Sequence, residues 1–379
     1  MTSVTVRVPA KLNLQLAVGP RRTDGYHDLV TVFHAISLYD EITVEPGKPT
    51  SVSVTGEGAS SVPSGQSNLA VRAFRELAVR GFDMLSGADA IAFGAAATEG
   101  VRITIHKRIP VAAGMAGGSA DAAGTLVAVN ELWGGRLTQR QLCEIGARIG
   151  SDVPFGILGG TVVGRGRGEL LTPALVRPTA QYHWVLALAD GELSTPLVYQ
   201  AFDRMHEKNP PSQPELSTAL MTALRAGDPV KVGRALGNDL QPAAVGMFPA
   251  LRKTLTAGKE FGALGALVAG SGPTCFFLAA NARRALDLAV SLTGAGVCRT
   301  VVQATGPAAG AAVIVPEDGT EPPVGPQGGS GGRGTGRPPV SGGPGGYGGP
   351  GRPPRGVTGG GEPPVRRGGL GGIVPPGKT

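Results

Sequence analysis

Cysteine is scarce in this chain of 379 residues: Cys143, Cys275 and Cys298 lie far apart and form no C-x-x-C pair. A disulfide framework and a sequence-readable zinc site are thereby excluded, and a reducing compartment fits. Long apolar runs are missing as well. No uncharged apolar stretch of about 18 residues occurs, and the start, MTSVTVRVPAKLNLQL, lacks a basic segment followed by a long apolar one. Neither a membrane span nor a secretory signal is expected, and the sequence reads as cytoplasmic. Acidic residues are in the minority, 28 Asp and Glu against 35 Lys and Arg, for a formal net charge of +7. Residues 317–379 carry seven Lys and Arg against four Asp and Glu, which leaves +4 for the rest. No continuous Lys/Arg stripe accompanies that charge, so nucleic acid is not the expected partner; a modest positive balance suits small anionic substrates.

Large apolar side chains are almost absent from residues 317–379, where 24 Gly and 13 Pro occupy 63 positions. Such a segment cannot bury enough surface to offset its ordering entropy, and it reads as a disordered Gly/Pro/Arg-rich tail. The fold is therefore sought in residues 1–316, with two domains as the starting expectation from length.

What is present begins with strand alternation. Residues 2–18, 32–44 and 51–55 read as strands. Asn68 then stands as an N-cap before LAVRAFRELAVRGF, whose apolar residues recur at helical spacing. Residues 101–106 return to strand, a glycine-rich stretch spans 112–118, and helix-forming content resumes at Ser119, with Asp121 in its first turn. A helix is expected near 140–148, followed by a Ser-Asp-capped turn running into a strand, where a first domain ends. A buried strand at 183–190, helices around 196–206 and 215–236, and two strands about a GSGP turn complete the reading. Strands and helices mix without regular βαβ alternation, which gives α+β.

Pro110 to Ala123, PVAAGMAGGSADAA, is the most informative stretch. Glycines let backbone amides approach phosphate oxygens, and the following helix offers its positive end. The stretch matches neither a Walker A loop nor G-x-G-x-x-G. In PAKLNL, Lys11 and Asn13 share one side of an extended segment; that side faces either a cleft or, on an edge strand, water. Asp152 in GSDVPF stands at a helix start, where an aspartate ordinarily caps. Should it face the same cleft as Lys11, it can accept a hydroxyl proton. GSGPT at 270–274 permits close approach of backbone to a ligand or simply a turn. Tyr26 and His27, in DGYH, could stack on a base or simply pack.

Taken together and in order, PAKLNL, PVAAGMAGGSADAA, GSDVPF and GSGPT resemble the GHMP kinases, and the similarity covers roughly residues 4–316. The resemblance implies a ribosomal S5-like N-terminal domain (1–165) and a ferredoxin-like C-terminal domain (166–316), with the tail, 317–379, outside it. It implies ATP-dependent phosphorylation of an alcohol, with magnesium bridging the phosphates. Asp152 would take the hydroxyl proton, and Lys11 would hold it ionised and stabilise developing charge. Pro110, Val111, Ala112, Ala113, Gly114, Met115, Ala116, Gly117, Gly118, Ser119 and Ala120 would cradle the triphosphate, with Asn68 and Lys107 near the adenosine. PAKLNLQLAVGPRRTDGYHDL and IGSDVPF resemble the branch of the family that acts on a cytidine diphosphate-linked methylerythritol. There Tyr26, His27 and Tyr199 would surround the cytosine and Asn13 the sugar-phosphate side. Against the family's commoner glycine-richer loop, Ala113 and Ala116 replace glycines and Met115 a leucine, so the cradle keeps its shape only if neither alanine is left-handed. The competing expectations are a sister kinase for homoserine or mevalonate, which should lack DGYH, and an RNA-binding protein of S5-like fold.

Overall fold

Alternating apolar residues build two long antiparallel strands, β1 (Val4–Arg21) and β2 (His27–Pro46), which dominate the first sheet of the computed structural model. The structure describes residues 3–314; the tail expectation for 317–379 lies outside the described residues. After β2 come β3 (Ser51–Gly56), α1 (Leu69–Asp83), α2 (Gly87–Ala97), β4 (Val101–Lys107), α3 (Gly117–Leu132), α4 (Gln139–Ile149), α5 (Val153–Leu158), β5 (Thr161–Arg165) and β6 (Leu170–Pro173). The second half runs β7 (Tyr182–Leu188), α6 (Thr195–Met205), α7 (Thr218–Ala226), α8 (Pro229–Ala235), β8 (Gly237–Asn238), α9 (Gln241–Met247), α10 (Ala250–Glu260), β9 (Gly265–Val268), β10 (Cys275–Ala279), α11 (Ala282–Ala295), β11 (Thr300–Gly306) and β12 (Ala312–Val313).

The first sheet has the order β12-β1-β2-β4-β3, with β5 and β6 continuing from β2 and β8 running parallel to β1. β12 meets β1 at Val6 and Arg7 and β8 meets it at Gln15 and Leu16, on either side of PAKLNL; the reading of that segment as an edge strand with one face in water fails because Lys11 and Asn13 are buried. Register shifts at Pro9/Ala10 and at Asn13/Gln15 bracket that segment; such irregularities re-aim side chains near a site. The second sheet, order β11-β7-β10-β9, is antiparallel throughout, with α10 and α11 packed on it. It carries the β-α-β-β-α-β pattern of a ferredoxin-like unit. The mixed, non-alternating architecture is α+β, and no helix among the described residues is long and apolar enough to cross a membrane.

Helix α3 lies on β1 and β2 and is buried on nearly every face, which its small residues Ala120, Ala122, Ala123, Gly124 and Ala128 make possible. It begins at Gly117, two residues before the expected start. Asp121 is therefore outside its first turn and turns inward instead. Two other elements depart from expectation. Helix α2, Ala- and Gly-rich without an apolar stripe, gave no periodic signal; it is anchored by buried Phe93, whose ring meets Trp133 edge-on at 4.9 Å. The helical region at 215–236 divides into α7 and α8, because Gly227 is left-handed (φ 69°) and Asp228 caps α8 through the amides of Val230 and Lys231.

Candidate active site

A cleft of about 700 Å³ opens between the two sheets, lined by residues of β1, the glycine loop, the start of α5, α6 and the β9–β10 turn. Strand β1 sends Lys11 and Asn13 into it from one face. The Lys11 ammonium donates to Asn13 Oδ1 (2.8 Å), Asn13 Nδ2 donates to Thr31 Oγ1 (2.8 Å), and Thr31 donates to the carbonyl of Gln15 (2.7 Å). The Phe33 ring lies 4.9 Å beneath the same ammonium. This chain of bonds holds a lysine whose side chain is only 9% exposed.

Asp152 stands at the N-cap position of α5, but its side chain makes no capping hydrogen bond. Its Oδ2 lies 3.7 Å from Lys11 Nζ, and its side chain is 31% exposed. Capping would have consumed this carboxylate; instead it is free, reachable from the cleft and beside a buried cation. A carboxylate so placed can accept a proton from an alcohol, and the ammonium can stabilise the oxygen left behind.

Opposite, residues 110–120 form the loop and the first turn of α3. Ala113 has ordinary backbone geometry, but Ala116 is left-handed (φ 60°), and so is Ala112 (φ 51°). The condition set for an unstrained cradle therefore fails at one of its two positions, and the loop stores the cost of alanine in that region, about 1–2 kcal/mol per residue. Gly114 could not be replaced. Its φ is 76°, and a Cβ there would lie 1.9 Å from the carbonyl oxygen of Ala269, where the loop abuts the β9–β10 turn.

Two residues expected near the adenosine line the cleft with their polar groups already engaged. Asn68 Oδ1 accepts from the amide of Ala70 (2.8 Å) and its Nδ2 donates to the Pro63 carbonyl (2.7 Å), so it caps α1. Lys107 Nζ is buried between Asp40 Oδ2 (2.6 Å) and Asp121 Oδ2 (2.9 Å). Asp40 also accepts from the amides of Arg108 and Ile109. Asp121 is less well served, as its Oδ1 has no partner. Burial raises the Asp121 carboxyl to about 7 against the pull of Lys107. Burial also works against the Lys107 charge, but the two carboxylates outweigh it and raise that pKa. Sequence reading missed Asp40 and took Asp121 for a helix-end charge, because nothing in their spacing shows that β2 and α3 enclose one lysine of β4.

The cleft continues into a pocket of about 360 Å³ lined by Tyr26, His27, Tyr199, Arg167 and Asp203 among others. His27 and Tyr199 are stacked, ring centroids 5.1 Å apart and planes at 29°, while the exposed Tyr26 lies under the Arg167 guanidinium at 5.1 Å. Burial, then the charge of Asp152, pushes the Tyr199 phenol well above its ordinary range. Arg167 and Asp203 belong to this pocket and carried no sequence signal. No three His, Cys, Asp or Glu side chains converge as a metal site among the described residues.

The N-terminal model of the GHMP kinases matches residues 68–160, and the GHMP kinase C-terminal model matches residues 220–297. With the relatives below, these matches settle the class: the chain belongs to the GHMP kinase family of ATP-dependent small-molecule kinases. The particular relatives are 4-diphosphocytidyl-2-C-methyl-D-erythritol kinases. That of Mycolicibacterium smegmatis is 51% identical over 314 residues, covering 82% of this chain and 92% of its own. That of Thermobifida fusca is 51% identical over 321 residues, covering 83% and 99%. A crystal structure of a 4-(cytidine 5'-diphospho)-2C-methyl-D-erythritol kinase, 32% identical, superposes with a TM-score of 0.61 over 79% of this chain and 98% of that one.

Proposed function

We propose that the protein transfers the γ-phosphoryl group of ATP to the tertiary C2 hydroxyl of 4-diphosphocytidyl-2-C-methyl-D-erythritol, giving the 2-phosphate and ADP, in the non-mevalonate route to isopentenyl diphosphate. The observation that carries this reading is the Lys11–Asp152 pair, an uncapped carboxylate 3.7 Å from a buried ammonium, set between a glycine loop and an aromatic pocket. Asp152 accepts the hydroxyl proton as the oxygen attacks. Lys11, pinned by Asn13 and Thr31, stabilises charge on that oxygen and on the phosphoryl group. The loop amides from Gly114 to Ala120 and the start of α3 hold the phosphates. Magnesium supplies charge neutralisation on them when bound. Tyr26, His27 and Tyr199 take the cytosine, and Asn13 the sugar-phosphate side. Asn68 and Lys107 shape the nucleotide end of the cleft, Lys107 by tying β4 to α3 beneath the loop.

The division into an N-terminal domain over 1–165 and a C-terminal domain over 166–316 accords with the two family matches, which lie on either side of it. The described fold ties the two halves together, since β8 and β12 complete the first sheet from beyond that boundary.

ADP release with ATP and magnesium, compared for 4-diphosphocytidyl-2-C-methyl-D-erythritol, homoserine and mevalonate, tests the proposal. Turnover is expected with the first acceptor alone. Preference for either of the others would leave the kinase chemistry standing and remove the cytidine assignment.

A further inference from the structure

The turn joining β5 to β6, GRGE at residues 166–169, holds Arg167 between two glycines. Gly166 and Gly168 both have positive φ (71° and 101°), so the chain reverses there in a conformation that side chains rarely adopt. The Gly166 carbonyl accepts from the Leu29 amide (2.7 Å), which docks the turn on β2. Glu169 Oε2 accepts from the Arg167 amide (2.6 Å), and Glu169 Oε1 lies 3.7 Å from Arg167 Nε. Stacking on Tyr26 occupies a face of the guanidinium. Its terminal N–H groups have no hydrogen-bond partner among the described residues. Arg167 lines both the main cleft and the aromatic pocket, whereas Lys11 and Lys107 line the cleft alone and Arg21 the pocket alone. Lys107 is enclosed by Asp40 and Asp121, and Arg21 faces Asp203 at 3.9 Å, a carboxylate that also meets His27 Nε2 at 2.7 Å.

We propose that Arg167 is a specificity-determining residue that grips the diphosphate bridge of the acceptor where the cleft meets the aromatic pocket, a role that rests on the functional reading above. With the base in the pocket and the reacting hydroxyl beside Lys11 and Asp152, the bridge between them falls at this junction and brings a negative charge on each phosphorus. A guanidinium fork matches paired phosphate oxygens, and a side chain already stacked and tied to its turn loses little freedom in binding them. Homoserine and mevalonate carry no diphosphate and gain nothing from this contact, so the same residue discriminates against them.

Calorimetric binding of cytidine diphosphate and of cytidine to the full chain, with magnesium and a non-hydrolysable ATP analogue filling the nucleotide site, separates the bridge from the base. The wild type is expected to bind the diphosphate roughly tenfold or more tighter than cytidine. Arg167→Ala and Arg167→Gln should remove most of that difference and leave cytidine binding within about twofold, which also serves as the control for folding. The side chain is 40% exposed on its turn, so folded variants are available. In turnover, both variants should raise KM for the cytidine-linked acceptor by a similar factor, with kcat and KM for ATP within about twofold. A diphosphate advantage that survives in both variants would overturn the proposal and leave the functional reading standing. Equal weakening of cytidine and its diphosphate would overturn it as well, since the loss would then lie with the base, and so would a rise in KM for ATP alone, which would put Arg167 on the triphosphate. A wild type that binds neither compound and does not phosphorylate the acceptor would refute the functional reading and the role of Arg167 with it.

Discussion

Asp152 bears the sharpest expectation at the scale of single residues, since its carboxylate is spared from capping and held beside Lys11. Asp152→Asn is expected to lower kcat by about 10²- to 10⁴-fold with little change in KM for ATP, the usual worth of a positioned acid-base group. Steady-state kinetics at saturating nucleotide would show it. The loop offers a second residue-scale test. Ala116 is left-handed, a region that glycine enters without steric cost, so Ala116→Gly is expected to stabilise the protein by up to about 1 kcal/mol in urea unfolding. Gly114→Ala is expected to destabilise it, as its Cβ would run into the Ala269 carbonyl. If Ala116→Gly lost stability instead, the strain assigned to the loop would be wrong.

Packing between elements decides what Lys107 and His34 do. Lys107 joins β4 to α3 through Asp121 and to β2 through Asp40, all three side chains almost fully buried. Removing one partner of a buried pair leaves a charge uncompensated, and Lys107→Met is expected to cost about 3–5 kcal/mol in chemical denaturation. His34 of β2 donates to or accepts from Thr161 of β5 and lies against Tyr182 and Trp184 of the second sheet. Its Nε2 has no partner, and Gly306 closes over it, leaving no space there even for a Cβ. Burial lowers its pKa to about 3 from 6.5. The unfolded chain therefore binds a proton that the folded chain refuses. Stability from this group is complete above pH 6.5 and is lost as pH falls towards 3, about 2 kcal/mol of it by pH 5. Urea unfolding at pH 8 and pH 5 should show His34→Gln losing less on acidification than the wild type. An equal loss would locate the acid sensitivity elsewhere.

These elements also show what the sequence could and could not disclose. The long strands, α1 with its Asn68 cap, α4 and the β9–β10 hairpin were legible because alternation, helical spacing and turn residues are local signals. Lys11, Asn13 and Asp152 were legible as residue types, with their convergence implied by resemblance rather than by spacing. The Lys107 cluster, the Asp203–His27 contact and the orphaned Asp121 oxygen were not legible, because each depends on which strand lies beside which helix. Helix α2 escaped for another reason: a run of alanine and glycine has no apolar stripe to read.

At the scale of the whole molecule, the two sheets bring the candidate site residues to one cleft. Among the described residues, those lining the main cleft lie between Lys11 and Ser271, on elements tied together by two sheets. From its composition, 24 Gly and 13 Pro in 63 positions, removing residues 317–379 is expected to leave kcat and KM essentially unchanged, and a large loss of kcat in a folded truncation would place the tail within the enzyme. The central claim, phosphoryl transfer to a single alcohol of a cytidine diphosphate conjugate, is tested most directly by phosphorus NMR of the product formed from ATP and 4-diphosphocytidyl-2-C-methyl-D-erythritol. The account predicts one new phosphomonoester on the tertiary C2 oxygen, the diphosphate bridge intact and ADP in equal amount, with none of these formed at a comparable rate by Asp152→Asn. Inorganic phosphate in place of the phosphomonoester, or a product phosphorylated elsewhere, would contradict it.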